Sequence, residues 1–291
     1  MGEEGVREAA YVFPAGNESN LALGSEERIA GPLSPTRSVI VLLPALNEAM
    51  ALGTVLDRMP FGELRTAGYE CGVWVVDGKS TDGTLEIARA RGARVFVQRG
   101  EGKGNGIRQA MNHIMRSQTG DAWGSRMFVM LDADGSYAPE EIPKLVRALE
   151  AGSDVVAGSR ITGNIEDGAI PPLNQIGNVL LSKLARVLFG TSVSDVCTGM
   201  WAFREDALRH FGLSAKGFDL EADLFASCCE TGARLEELPI GYYRRIGVPK
   251  LVPLRTGLLI AWRLIMRRLN RPEDARTRPD REGAPFAEEP V

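Results

Sequence analysis

The 291-residue chain is 44% hydrophobic and 25% charged, with 34 Lys and Arg against 38 Asp and Glu for a net charge of −4. These values describe a soluble globular chain able to bury a full core, one large domain or one and a half, and no nucleic-acid partner is expected. Its four cysteines, Cys71, Cys197, Cys228 and Cys229, lack C-x-x-C spacing and read as reduced thiols of a cytoplasmic protein. No signal peptide is read and no apolar run reaches the ~18 to 20 residues that span a bilayer. A membrane would therefore be met from its cytoplasmic surface, as a peripheral protein.

Residues 1–36 mix Gly, Glu, Ser, Asn and Pro without a sustained period and are expected to be a flexible lead-in. Order begins at SVIVLLPALNE. Ser38 to Leu43 is a continuous apolar strand of the kind buried on both faces, expected to stop at Pro44, with Asn47 placed to cap the helix that follows. That helix carries Leu52, Val55, Leu56 and Met59 on one face. CGVWVVDGKSTDGT repeats the pattern: a strand ending at Asp77, a polar turn, and a helix opened by Ser80, Thr81 or Asp82 and closed near Gly92. Arg94 to Val97 is a third strand.

The run RGEGKGNGIRQA has the look of a phosphate loop but fits neither nucleotide fingerprint. Asn105 stands where a dinucleotide loop needs its third glycine, and Gly104 where a P-loop needs Ser or Thr. It reads either as a plain flexible loop or as a mobile lid bringing Lys103 to a phosphate, with a helix after Gly106. In FVMLDADGSY, an apolar strand ends in two carboxylates one residue apart. Positions i and i+2 of a strand share a face, so Asp132 and Asp134 can form a hard oxygen site for a divalent cation and a diphosphate. A solvated turn is the plainer reading of that pair. A helix and the short strand DVVAG follow. Strands alternating with helices predict an α/β chain, a mostly parallel sheet covered on both faces, with ligands beyond the carboxyl ends of the strands.

PPLNQIGNVLLSKLARVLFG is a helix whose broad apolar stripe is expected to pack on the core. From Tyr242 to Arg271 the chain carries Arg244, Arg245, Lys250, Arg255, Arg263, Arg267, Arg268 and Arg271 with no acidic residue, which points to an anionic partner. Within it, residues 251–270 form a basic amphipathic helix with Trp262, suited to a bilayer interface or, alternatively, to a core contact with a solvated basic face. Residues 271–291 are expected to be a disordered tail.

Together PALNE, VVDGKSTDGT, GKGNGIRQA, LDADGSYAPEEI, VVAGSR, DVCTGMWAFR and RRIGVPKL resemble, in order and spacing, the inverting family 2 glycosyltransferases of the GT-A fold, within them the dolichyl-phosphate mannose synthase group. The resemblance implies a GT-A domain over residues 37–250, a Rossmann-like sheet. It implies that Pro44, Asn47 and Glu48 hold the nucleoside and that Asp77, beside Val76, recognises the base. Asp132, Ala133 and Asp134 then match the metal and diphosphate motif, with Ser136 where a glutamine is usual, and Mg²⁺ or Mn²⁺ as cofactor. Arg160 stands near the donor sugar and the acceptor phosphate, Arg244 and Lys250 resemble a distal phosphate-binding loop, and Lys103 is a further donor contact. Leu46 and Gly78 depart from the pattern, standing where an aromatic and a second aspartate are usual.

The implied partners are a GDP- or UDP-hexose donor, a polyprenyl phosphate acceptor and the membrane surface. The implied activity is inverting hexose transfer, with Asp134 stabilising the leaving diphosphate through the metal. A soluble transferase acting on a hydroxyl is the alternative. It needs a general base, for which Asp195 is the first candidate, with Glu221 and Asp219 behind it. A catalytically inactive nucleotide-sugar-binding or membrane-recruitment protein is the second alternative.

Overall fold

The first strand, β1 (Ser38–Ala45), is an interior strand of the sheet, as its apolar residues on both faces require. Val39, Val41 and Leu43 pack into one hydrophobic cluster and Leu42 into the other, on the opposite side of the sheet. The computed structural model describes residues 37–116, 126–247 and 253–270, all within the unit Pro35–Val291. The expected lead-in, the tail from 271 and Lys250 lie outside the described residues.

Parallel to β1 run β2 (Glu70–Asp77) on one side and β4 (Arg126–Met130) on the other, and β3 (Arg94–Val97) adds parallel to β2. Beyond β4 the sheet continues through β6 (Trp201–Arg204), β5 (Val155–Ile165) and β7 (Leu235–Tyr242), giving the order β3-β2-β1-β4-β6-β5-β7. Only β6 runs antiparallel, against both β4 and β5. One face is covered by α1 (Ala49–Asp57), α2 (Phe61–Thr66), α3 (Thr84–Ala90) and α5 (Ile142–Ala151), through residues such as Leu52, Leu64 and Leu145. The other is covered by α4 (Lys103–Arg116), α8 (Leu220–Thr231) and α9 (Pro253–Leu269), through Ile107, Phe225 and Leu264. The sheet with helices on both faces is the expected α/β architecture. The α6 helix (Pro172–Phe189) and the short α7 (Glu205–Arg209) complete the described elements.

Several local expectations are corrected. The first strand does not stop at Pro44 but pairs on to Ala45, opposite Asp77. Leu42 faces β4, whose Leu131 N–H it receives, so Pro44 faces the same side two residues later. There β4 has already ended, and the missing proline N–H costs no ladder bond. Asn47 does not cap α1. The first N–H groups there, of Glu48 and Ala49, are taken by Thr84 Oγ1 (2.9 Å) and Asp82 Oδ2 (3.1 Å) from the next strand's turn. The strand DVVAG is longer than expected and runs to Ile165, with an irregularity between Ser159 and Asn164.

The glycine run is a loop only as far as Gly102. The α4 helix begins at Lys103, and its first free N–H groups donate to the loop before α8: Gly104 N to Gly217 O and Asn105 N to Lys216 O. Small residues are needed for that approach. Gly102 sits at φ +94°, and a Cβ there would fall 2.1 Å from the Lys216 carbonyl oxygen. Gly102→Ala combines a left-handed backbone with a backbone clash and is expected to cost roughly 2 to 4 kcal/mol. A lower urea midpoint at unchanged slope would report it. A loss below about 0.5 kcal/mol, the range of a neutral surface change, contradicts this packing.

Candidate active site

The carboxyl ends of β1, β2 and β4 converge on one edge of the sheet, and the turns that leave them hold the predicted residues. The first two turns are stapled together. Asn47, itself at φ 51°, donates its N–H to Ser80 Oγ (2.8 Å), and its Oδ1 accepts from Thr81 N (2.8 Å). Buried Asp77 accepts from the N–H groups of Lys79 (2.8 Å) and Ser80 (3.1 Å), so its carboxylate builds the turn that carries it. Val76 and Ala133 have their side chains in the core, leaving only backbone to meet a nucleotide. The two departures, Leu46 and Gly78, touch each other: a Cβ on Gly78 would lie 3.3 Å from Leu46 Cβ.

The aspartate pair does not stand on the strand. The fourth strand ends at Met130, and both carboxylates project from the turn beyond it, each toward its own cation. Lys103 Nζ is 2.6 Å from Asp132 Oδ1 and 2.6 Å from Glu221 Oε1, in the first turn of α8. Burial works against the Lys103 charge, but the two carboxylates outweigh it and hold its pKa above the ordinary lysine value. Burial pushes the Glu221 carboxyl upward, with Lys103 opposing. Asp134 Oδ1 accepts from the N–H and hydroxyl of Ser136, while Asp134 Oδ2 lies 2.9 Å from Arg245 Nη2. The same Nη2 is 3.6 Å from Glu48 Oε1. Arg245 is delivered by a chain segment zipped to the aspartate turn through Tyr243 N to Ser136 O and Ile246 N to Asp134 O.

A third group sits behind these turns. Arg160 grips Asp195 with two guanidinium bonds of 2.6 and 2.7 Å and a backbone N–H at 3.1 Å, both side chains being buried. Such a bidentate, charge-assisted pair fixes both partners. The guanidinium also lies 5.1 Å from the Tyr242 ring centre, and Tyr242 packs edge-on against Tyr137, whose hydroxyl accepts from Gly199 N. Burial raises both tyrosines above the usual phenol value, with Arg160 opposing. Burial with the nearby Asp195 charge pushes the Cys197 thiol up to about 12.

Arg244 is not part of this group: its Nε donates to the Asp167 carbonyl and its N–H to Glu166, on an exposed turn. Its neighbour Arg245 is the one of the two that reaches Asp134. Sequence reasoning placed Arg245 in a basic block without singling it out. The seventh strand ends at Tyr242, so strand alternation does not separate the two arginines.

Among the described residues no three His, Cys, Asp or Glu side chains form a metal cage. A Mg²⁺ or Mn²⁺ held mostly by a substrate's phosphates needs no cage, only one or two carboxylates with open positions. Asp132 and Asp134 supply that donor set. Arg245 Nε, buried without a hydrogen-bond partner among the described residues, adds a donor suited to an anionic oxygen. The residues fit the ion.

The family model described as Glycosyl transferase family 2 matches residues 40–212. The chain belongs to glycosyltransferase family 2. It is thus a glycosyltransferase, and its similarity extends to named family 2 relatives. A dolichyl-phosphate hexose transferase of Haloferax volcanii is 35% identical, covering 76% of this chain and 89% of that protein. A polyprenol monophosphomannose synthase of Mycolicibacterium smegmatis is 31% identical over 78% of this chain and 88% of its own. Among solved structures, glucosyl-3-phosphoglycerate synthase of Mycobacterium tuberculosis, in complex with Mn²⁺, UDP-glucose and phosphoglyceric acid, shares the fold. Its TM-score is 0.60 at 23% identity, with 80% of each chain covered.

Lys103→Met leaves buried Glu221 and Asp132 with no cation between them and is expected to cost about 3 to 5 kcal/mol. Adding Glu221→Gln should recover much of that loss in urea melts, because the uncompensated buried charge is then gone. Additive losses in the double variant contradict a shared ion-pair network.

Proposed function

We propose that this family 2 enzyme transfers a hexose, with inversion, from a GDP- or UDP-sugar to a polyprenyl phosphate at the cytoplasmic membrane surface. One observation carries the choice of acceptor. All three candidate bases are committed to cations: Asp195 to Arg160, Glu221 to Lys103, and Asp219 to Arg263. An alcohol acceptor needs a base to take its proton. A phosphate monoester does not, since its second pKa is about 6 and its oxygens are already anionic near neutral pH. The names of the relatives point the same way.

The donor lies across the ends of β1, β2 and β4. The stapled Asn47 and Ser80 turns border the nucleoside, and Glu48 stands between them and Arg245. Asp132 and Asp134 hold the divalent ion, which when bound supplies Lewis-acid stabilisation of the charge that develops on the departing nucleoside diphosphate. Arg160 is fixed by Asp195 through Nε and Nη2 and presents its remaining nitrogen to an acceptor oxygen. Asp195 is then a positioning residue rather than a base.

The lipid side rests on α6 and α9, which pack on each other and turn apolar side chains outward. This corrects two expectations. The α6 stripe is divided: Leu184 and Leu188 pack on the core, whereas Leu173, Ile176, Leu180 and Val187 are exposed, Val187 at 83%. On α9 most of the arginines do not face solvent. Arg263 binds Asp219, Arg267 binds Glu230 and Ser227, and Arg268 binds the Leu188 carbonyl. The outer surface is instead Leu254, Leu258, Leu269 and Trp262, the last 61% exposed. Neither helix has an acidic residue, and Lys183, Arg186 and Arg255 are exposed. An apolar surface with basic neighbours suits an anionic bilayer. No helix among the described residues is long and apolar enough to cross one.

Radiolabel transfer from GDP- and UDP-hexoses to polyprenyl phosphate in liposomes tests the reading, with loss on EDTA treatment expected. Asp134→Asn should lower turnover roughly a hundredfold or more while leaving the fold intact. Product on a hydroxyl acceptor, with none on the lipid phosphate, would overturn it. Separately, Leu258→Asp with Trp262→Asp should weaken binding to anionic liposomes without lowering the melting temperature, because both side chains are exposed. Undiminished binding would sink the membrane face.

A further inference from the structure

We infer that Arg245 is a placeholder for the divalent cation: in the absence of donor its guanidinium neutralises Asp134, and it gives up that carboxylate for the donor's diphosphate when the metal arrives. The inference rests on the metal reading of Asp132 and Asp134 and concerns what this chain does before the ion binds.

The two aspartates are balanced by different kinds of cation. Lys103 is anchored twice, to Asp132 and to Glu221 at 2.6 Å each, and its side chain is only 11% exposed. Removing it from Asp132 would leave it held by Glu221 in the same place. Arg245 is more loosely built in. One nitrogen bridges Asp134 at 2.9 Å and Glu48 at 3.6 Å, beyond good hydrogen-bond length, and the side chain is 28% exposed. Its Nε is buried with no partner among the described residues. A guanidinium has five donors in a planar fork suited to two oxygens of a carboxylate or phosphate. Here that fork is matched on one edge only. An unmatched buried donor is costly, so the arrangement suits a further anionic oxygen better than it suits Asp134 alone.

The location supplies that oxygen. Asp134 leaves the end of β4 and Glu48 follows the end of β1, so Arg245 spans the strand ends across which the donor's diphosphate lies. With Asp134 given to the metal, the backbone bonds Tyr243 N to Ser136 O and Ile246 N to Asp134 O still hold the segment in place. The side chain moves and the main chain stays. Glu48 remains as a second carboxylate that keeps the guanidinium near the site during the exchange. The consequence is ordered affinity: metal alone competes with Arg245 and binds weakly, whereas metal with a nucleoside diphosphate gains Arg245 as a ligand for the phosphates and binds strongly.

Mn²⁺ binding to the full chain, measured by electron paramagnetic resonance of free Mn²⁺ with and without GDP or UDP, reads this directly. Arg245→Met and Arg245→Gln, both neutral, should bind Mn²⁺ alone about tenfold tighter than the unmodified chain, the worth of one charge-assisted hydrogen bond. In the presence of Mn²⁺ both should bind the nucleoside diphosphate about tenfold more weakly. Thermal melts establish that the variants are folded, and the two neutral substitutions guard against a packing artefact of either one. Equal or weaker Mn²⁺ binding in both variants, with Asp134→Asn still abolishing it, would overturn the placeholder and leave the metal site standing. Mn²⁺ binding that is absent from every protein, or untouched by Asp134→Asn, would overturn the metal reading and the placeholder together.

Discussion

Carboxylates gathered at the end of a sheet repel one another, and the arrangement persists only if cations are brought to them from elsewhere in the fold. That requirement organises this molecule. Asp132 draws Lys103 from the start of α4 and, through it, Glu221 from α8. Asp134 draws Arg245 from the segment after β7. Asp195 draws Arg160 from β5. Each pair ties a distant stretch of chain to the strand ends, so the site is built from parts that pack only when the whole sheet is assembled. The close approach of the glycine run to residues 215–217 follows from the same demand, because it lets Lys103 reach two acids at once.

The same logic explains the C-terminal helix. A basic amphipathic pattern in a sequence leaves open which face meets the protein. Here acids at Asp219, Asp223 and Glu230 receive Arg263 and Arg267, and the carbonyl at the end of α6 receives Arg268, an interaction favoured by the helix dipole. Once those charges are satisfied internally, the leucines and Trp262 are the residues left outside. The outer face of α9 is apolar because the basic residues are needed as struts. The apolar outer surface continues onto α6 through Leu173, Ile176, Leu180 and Val187, while Leu184 and Leu188 pack on the core.

Much of this was legible in the residues. Apolar runs ending in Asp77 and before Asp132 gave the parallel strands, and the helical periods around Leu52, Ile107 and Leu145 gave both covering layers. The order of motifs gave the family. What the sequence did not reveal was partnership at long range. Nothing local distinguishes Arg245 from Arg244, since the choice depends on how β7 meets the turn after β4. Nothing local says that the glycine run starts a helix, because its N–H groups are capped by carbonyls more than a hundred residues away. Pro44 looked like a stop because a proline's effect in a strand depends on whether a neighbour stands opposite its missing N–H, and β4 had already ended. The direction of the α6 stripe was equally hidden, because an exposed apolar face and a buried one are the same pattern until the neighbouring helix is placed.

The most direct test is an anomalous-difference map from crystals of this protein grown with Mn²⁺ and GDP or UDP. The account predicts a metal peak at the Asp132 and Asp134 carboxylates, a nucleoside diphosphate across the ends of β1, β2 and β4, and Arg245 on the phosphates. A nucleotide bound away from those strand ends, or a metal peak elsewhere with Arg245 still on Asp134, would contradict it.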